Sequence, residues 1–432
     1  MNINAGKVAR PLRWLVPGLG IKRWYALVFV GLLLAGLGAV LVFNLFAYEL
    51  TAAVGGSRYA FSYGCLSIAL GLFAVILGIR GTLRAVARTF LPAEEQRLVD
   101  VMISRRDAAV GLACVVVGGG TGLGSLLRGL KQRTTNITAV ATVSDEGGSS
   151  GRLREDMGVL PPGDLRSCLV ALADSEPTMT RLFSHRFGPE DGPLSGHSFG
   201  NLFIAALTEI TGDLEEAVIA SSQIMAIRGR VLPPTVQNVT LCAKLRDGQS
   251  VRGELAVASA GGQEIERVYL DPPNPAAVPD VVEAIEQAQL VVLGPGSVFT
   301  SIVPNLLVPE VAAALVRTDA VRVLVCNVMT QPGETDSFGA VDHVEAIRRH
   351  VAERVFDYVL LNDAKPSAEV LARYEEEGAG FVVPAAQEIA KLGFIPVCRD
   401  LISTDSLARH DPKKLSDALL EIAAKHSDGF LI

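Results

Sequence analysis

Cysteine is scarce in this chain and never paired. The six residues, at positions 65, 114, 168, 242, 326 and 398, stand singly and mostly inside apolar runs. No C-x-x-C pair and no His/Cys grouping at zinc-ligand spacing occurs, which argues against a disulfide framework and a structural metal. The thiols read as buried and reduced, in a cytosolic compartment. The G-x-x-x-x-G-K-[ST] phosphate loop and the G-x-S-x-G nucleophile elbow are both missing, which disfavours an ordinary P-loop ATPase and a serine hydrolase. Basic excess is missing too. Lys+Arg number 39 against 46 Asp+Glu, a formal charge of −7. Nucleic-acid binding demands positive surface, so a general nucleic-acid partner is not expected. There is no low-complexity tract and no long internal repeat.

What the chain has in abundance is apolar sequence, 49% of 432 residues, with a mean hydropathy of +0.36. Residues 1–23 carry Lys7, Arg10, Arg13, Lys22 and Arg23 and no acid. Ala26 to Phe46 is almost wholly apolar, flanked by Trp24, Tyr25 and Tyr48, and a second run spans Tyr59 to Ile79. Arg80, Arg84 and Arg88 follow, while the connector holds only Glu49 and Arg58. Runs of about 20 apolar residues match the thickness of a bilayer, and basic outer flanks point both termini to the cytoplasm. The pattern predicts a basic N-terminus and a two-helix transmembrane hairpin in residues 1–91, with spans near 26–46 and 59–79. A linker (92–108) and a main domain (109–432) follow. The protein would then be a multi-pass protein of the cell (inner) membrane with its main domain in the cytoplasm. A hairpin buried in a globular core is the competing reading, and a cleaved signal peptide fits poorly because the second run would still anchor the chain.

The main domain is organised around Val115-Val116-Val117-Gly118-Gly119-Gly120-Thr121-Gly122-Leu123-Gly124-Ser125. A β-branched strand runs into glycines and then into an apolar-periodic helix. That is the arrangement in which backbone N–H groups at a helix start cradle a phosphate. The spacing departs from G-x-G-x-x-G at its third position, Ser125. Ile137–Val143 reads as a second strand, so the segment forms a βαβ unit. It ends at Ser144-Asp145-Glu146-Gly147-Gly148-Ser149-Ser150, where a carboxylate suits sugar hydroxyls or Mg²⁺, or simply a turn. Arg152 and Arg154 suit phosphate, or plain solvated pairs with neighbouring acids.

Residues 231–255 suggest a small antiparallel or mixed excursion. The parallel pattern then resumes with strands at 290–293, 321–326, 358–361 and 381–383. Gly294-Pro295-Gly296-Ser297 follows the first of these as a second glycine loop. The fold class predicted is a Rossmann-like, doubly wound, three-layer α/β/α domain, with ligands outside the carboxyl ends of its strands. Two glycine loops on one edge suit an elongated phosphorylated ligand. His197 reads as a hydrogen-bonded loop residue more readily than as a general base.

Six ordered motifs carry a resemblance: residues 116–123, 144–154, 160–166 (Leu-Pro-Pro-Gly-Asp-Leu-Arg), 196–202 (Gly-His-Ser-Phe-Gly-Asn-Leu), 293–297 and 326–335. Over roughly residues 113–420, including Arg409-His410-Asp411-Pro412, the chain resembles the gluconeogenesis-factor (YvcK-type) proteins. These are relatives of 2-phospho-L-lactate transferase (CofD). The resemblance implies a domain that binds UDP-N-acetylglucosamine and acts in carbon metabolism, cell shape and envelope synthesis without an established reaction. The ligand-binding residues it implies are Gly118, Gly119, Gly120, Thr121 and Gly122 in the first loop, and Asp145, Glu146, Ser149, Ser150 and Arg152 in the second. They continue with Gly163, Asp164 and Asn201, then Gly294, Pro295, Gly296, Ser297, Phe299 and Thr300, and finally Asn327 and Thr330. The transferase relative moves a phospholactyl group from a guanosine-diphosphate donor with Mg²⁺, so the rival reading is a transferase with Asp145, Glu146 and Asp164 positioning that ion. An NAD-dependent oxidoreductase is a weaker third reading. Expected partners are the nucleotide sugar, the membrane and envelope-synthesis proteins, and a homo-oligomer is compatible. Three positions depart from the family pattern: Glu146 for aspartate, Phe299 for tyrosine and Gln289 for aspartate.

Overall fold

The structure, a computed structural model, describes residues 22–51, 58–90, 111–174, 176–260, 265–351, 353–403 and 408–429. The basic segment 1–21 and the predicted linker lie outside the described residues. The chain divides into two units, Met1–Ser104 and Arg105–Ile432.

In the first unit, helices Lys22–Thr51 and Arg58–Phe90 pack against each other. Small residues set how closely they approach. A Cβ placed on Gly71 would come within 2.6 Å of the Ala35 nitrogen and the Gly31 oxygen. Large apolar side chains such as Phe29, Leu32, Leu33, Leu66 and Phe73 point outward and are more than half exposed. Among the described residues no single helix is long and apolar enough to cross a membrane. The apolar stretches are Ala26–Val40 and Cys65–Gly81, of at most 17 residues, against about 20 for a full span. The described helices therefore do not support the expected transmembrane hairpin.

In the second unit the strands are β1 Cys114–Gly118, β2 Ile137–Ala141, β3 Arg230–Leu232, β4 Thr240–Leu245, β5 Ser250–Arg252, β6 Ile265–Asp271, β7 Leu290–Leu293, β8 Val321–Val325, β9 Tyr358–Asn362 and β10 Ile395–Arg399. Seven of them form one parallel sheet in the order β10-β9-β8-β7-β1-β2-β3. Chain order reverses between β1 and β7, which places the topological switch point there. The remaining three strands form an antiparallel sheet, β5-β4-β6.

Because strand side chains alternate between faces, β1 and β7 feed two cores. Val115, Val117, Val291 and Leu293 pack with helices Pro279–Glu286, Pro309–Arg317 and Ala340–His350. Cys114, Val116, Leu290 and Val292 pack with helices Gly120–Leu130, Gly163–Leu172 and Pro412–Gly429. This is the three-layer α/β/α fold. Two boundaries differ from the sequence reading. Residues 381–383 contribute only an isolated bridge, Phe381 to Met329, and the last strand is β10. β10 contains Pro396, which is tolerated there because the strand lies at the sheet edge.

Helix Gly120–Leu130 lies so close to the C-terminal helix that a Cβ on Gly129 would stand 2.0 Å from the Pro412 carbonyl oxygen. Gly129→Ala is expected to destabilise the domain by about 1–3 kcal/mol through overpacking. A thermal melt followed by circular dichroism reads this as a midpoint several degrees lower. An unchanged midpoint would mean that the two helices can separate without cost.

Candidate functional site

The two glycine loops leave neighbouring strands, β1 and β7, whose last paired residues are Val117 and Leu293. Gly119 is extended and Gly120 takes a left-handed φ of +68° as the helix opens. That conformation is costly for any side chain. The Gly294 N–H bonds back to the Val117 carbonyl at 2.8 Å, and Gly294 is also left-handed, at +77°. The loops then meet face to face. A Cβ on Gly122 would fall 2.7 Å from the Pro295 oxygen, and one on Gly296 would lie 3.1 Å from the Gly119 oxygen. Backbone thus packs on backbone, and the loops open into one cavity of about 490 Å³.

Side chains from deeper in the sheet hold this arrangement. Asn327, just after β8, accepts from the Gly296 N–H (3.3 Å) and donates to the Gly296 carbonyl (2.8 Å). Asn305 donates to the carbonyls of Gly118 (3.2 Å) and Ser301 (2.7 Å). Glu334 accepts from the hydroxyls of Ser297 and Thr300 and from the Gln331 amide. Burial raises the Glu334 pKa, and the two hydroxyls oppose that rise.

Of the residues expected at the site, Gly119, Gly120, Thr121 and Gly122 line the cavity from one side. Pro295, Gly296, Ser297 and Thr300 line it from the other, with Asn327 and Thr330 at its floor. Gly118 and Gly294 are the strand ends beneath the loops. Phe299 is 2% exposed and packs edge-to-face on Phe338 and His350. It belongs to the core and does not line the cavity, unlike Pro295, Gly296, Ser297 and Thr300. Gln289 bonds Ala113 at the amino end of β7, away from the loop. Glu146 pairs with Arg154 at 3.1 Å. Ser149, Ser150, Arg152 and Asn201 gather in a separate cluster beside the loop at 195–198.

Asp164 takes an unexpected position. Its Oδ1 accepts from the Gly120 N–H at 2.8 Å, so a buried carboxyl already caps the helix at the glycine turn. Burial pushes its pKa up to about 7, with Asp145 adding to the rise and the Gly120 bond opposing it. Asp145, which binds the Gly147 N–H at 2.7 Å, stands against Gly163. Burial and the neighbouring Asp145 also raise Glu254, whose carboxylate accepts from the Glu146 N–H.

Glu254 was not expected from sequence. It follows β5 in the antiparallel excursion and reaches the cavity. Tyr374, Met329 and Ala408 supply an apolar wall, and Arg409 and His410 complete the lining. His410 is buried, which pulls its pKa down to about 4. Among the described residues no group of three or more His, Cys, Asp or Glu side chains is arranged to hold a metal ion.

Residues 114–402 match the family model described as 2-phospho-L-lactate transferase CofD. The chain is 44% identical to the gluconeogenesis factor of Bacillus subtilis over 309 residues, 71% of this chain and 96% of that protein. The chain belongs to the gluconeogenesis-factor family, within the CofD-like proteins. A relative from Nostoc sp. is 44% identical over 426 residues, 96% of this chain and 93% of its own length. The fold also matches a crystal structure of a UPF0052-family protein from Bacillus halodurans, at 43% identity and a TM-score of 0.68, covering 71% of this chain and 99% of that one.

The acids beside the turn give this gluconeogenesis-factor domain a defined pH response. The folded state holds the Asp164 proton more tightly than the unfolded state, where the ordinary value is 3.8. Its contribution to stability is therefore complete at low pH and is lost as pH rises from about 4 through about 7. Asp164→Asn keeps an acceptor for Gly120 and removes the titration. Melts from pH 5 to 8 should show the wild type losing stability relative to Asp164→Asn, which becomes the more stable form at pH 8. A constant difference across that range would place the Asp164 carboxyl in water.

Proposed function

We propose that this chain is a regulator that binds a nucleotide sugar, UDP-N-acetylglucosamine, and links carbon metabolism to cell shape and envelope synthesis. The observation that carries the reading is the backbone-to-backbone contact of two glycine loops at the switch point, opening into a single cavity. Its volume is in the range of small-molecule sites. Thr121 and Gly122 start a helix, so their N–H groups lack intrahelical acceptors and face an anion favourably. Hydroxyls of Thr121, Ser125 and Ser301 also line the cavity. The Tyr374 wall suits a base, and the polar edge at Glu254 suits sugar hydroxyls. The described acids do not make a resident magnesium cage, so the reading routes nothing through a metal.

Membrane tethering, with the main domain in the cytoplasm, is part of the proposal. It is supported by the exposed apolar faces of both N-terminal helices and by the run of basic residues before them. Alkaline carbonate extraction should leave the full chain in the membrane pellet and release a chain starting at residue 109. Release of both would end the tethering proposal.

A second reading, a CofD-like transferase, is favoured by the family match over residues 114–402 and by the buried acids at the cavity edge. The two readings separate in one experiment. Calorimetry with UDP-N-acetylglucosamine should show binding that Gly122→Val weakens by at least about tenfold, because its side chain would fill the gap to Pro295. No heat at millimolar ligand with a folded protein would sink the sensor reading. Turnover of a nucleotide-diphosphate donor that vanishes in Asp145→Asn would favour the enzyme.

A further inference from the structure

The motifs Gly-Gly-Ser-Ser-Gly-Arg (147–152) and Gly-His-Ser-Phe-Gly-Asn (196–201) do not reach the glycine-loop cavity. They converge on each other instead. Ser149 Oγ lies 3.1 Å from His197 Nδ1 and accepts from the Ser198 N–H at 3.3 Å. Asn201 donates to Ser150 Oγ at 3.1 Å.

Three guanidinium groups close round this junction. Arg152 donates to the Ser195 carbonyl (2.8 Å), Arg186 to the Gly196 carbonyl (2.8 Å) and Arg166 to Ser198 Oγ (2.9 Å). Glycines make room for two of them. A Cβ on Gly196 would stand 2.8 Å from Arg152 Nη2, and one on Gly200 would stand 2.7 Å from Arg166 Cδ.

All three cations are thus held by neutral oxygens of one short segment. Among the described residues none of the three forms an ion pair within 4 Å. After burial, Arg152 and Arg186 disfavour a charge on His197 while Asp156 favours it, and Arg186 disfavours the charge on Arg166. Like charges crowd here without a counter-ion in contact. Asp145 and Asp164 are the nearest acids to Arg166, but Asp164 is committed to Gly120 and Asp145 to Gly147.

Two further features at this junction have polar groups without a partner. Helix Gly148–Met157 begins at this junction, and its leading N–H groups at Gly148 and Ser149 have no intrahelical acceptor. Asn201 is 3% exposed, and its Oδ1 has no partner. Turned about its amide axis, the same side chain accepts from the Ser150 hydroxyl and offers an N–H at the orphan position.

We propose that Arg152, Arg166 and Arg186, with the start of helix Gly148–Met157, form a second anion site that takes a doubly charged phosphate group. Planar guanidinium forks match phosphate oxygens, and three of them suit a phosphomonoester better than a single carboxylate. The site is distinct from the glycine loops, so the protein would read a second, phosphorylated small molecule alongside the nucleotide sugar.

The test titrates the full-length protein at fixed ionic strength with inorganic phosphate and, in a parallel arm, with glycerol 3-phosphate. Each titration is repeated with UDP at saturation. The expected result is anion binding that persists in UDP and weakens by about tenfold or more in Arg186→Gln. UDP-N-acetylglucosamine affinity and the melting curve should not change in that variant, whose altered side chain is exposed. Tighter glycerol 3-phosphate than phosphate binding assigns the site to an esterified ligand, and the reverse assigns it to the free ion. Binding displaced by UDP, binding indifferent to Arg186→Gln, or no binding of either anion at tens of millimolar overturns the proposal. If UDP-N-acetylglucosamine does not bind but the Arg186-dependent anion binding remains, the nucleotide reading fails and this one stands.

Discussion

Everything at the cavity depends on two stretches of main chain touching where side chains would ordinarily keep them apart. Gly122 and Pro295 approach to a distance that no Cβ could share, and Gly296 and Gly119 to one that a Cβ could share only if the backbone gave way by a few tenths of an ångström. The contact exists because β1 and β7 are hydrogen-bonded neighbours whose paired residues end together at Val117 and Leu293. Each loop therefore starts from a strand end fixed by the same ladder. A parallel sheet leaves its loops at one edge, and chain reversal between β1 and β7 opens the crevice between them. The fold and the site are one consequence of that pairing.

Charge is divided around this contact in an unusual way. The helix start at the glycine turn is met by the protein's own buried acid, Asp164, while the cations gather one loop away. Arg152, Arg166 and Arg186 bond only to neutral oxygens around Ser195–Ser198. A carboxyl that holds its proton to about pH 7 caps the helix without placing a full negative charge where phosphate would come. Below that pH burial keeps the acid neutral, which removes its repulsion of an approaching phosphate.

Much of this is legible in the residues themselves. The strand–glycine–helix passage at 115–125 marks a phosphate cradle because only glycine permits both the turn and the close approach. The β7 loop can be read for the same reason, and alternation of apolar strands with helices gives the layered sheet. Other parts have no local signature. Glu254 meets Glu146 across 108 residues of sequence, and nothing near it distinguishes it from a solvated helix acid. β10 is hidden by Pro396, which reads as a break in the apolar run Phe394–Cys398 but is tolerated on an edge strand. Phe299 looks like a ligand platform beside Ser297, but a single π-type turn over Val298–Ile302 swings it into the core.

The residues read as one site from their order in sequence fall into two in space, and the reason is topological. The loops after β1 and β7 flank the switch point, whereas the loop after β2 lies one strand further out and turns towards helix Phe199–Thr211. Sequence order cannot distinguish these cases, because all of these loops follow parallel strands and carry glycine and serine. What separates them is which loop each backbone touches: Pro295 for Gly122, but the Ser195–Ser198 segment for Arg152. A site made of backbone contacts and a site made of guanidinium groups then differ in selectivity. The first tolerates an extended diphosphate lying along main chain. The second, as proposed, has three guanidinium groups held by oxygens of the Ser195–Ser198 segment and suits a compact dianion.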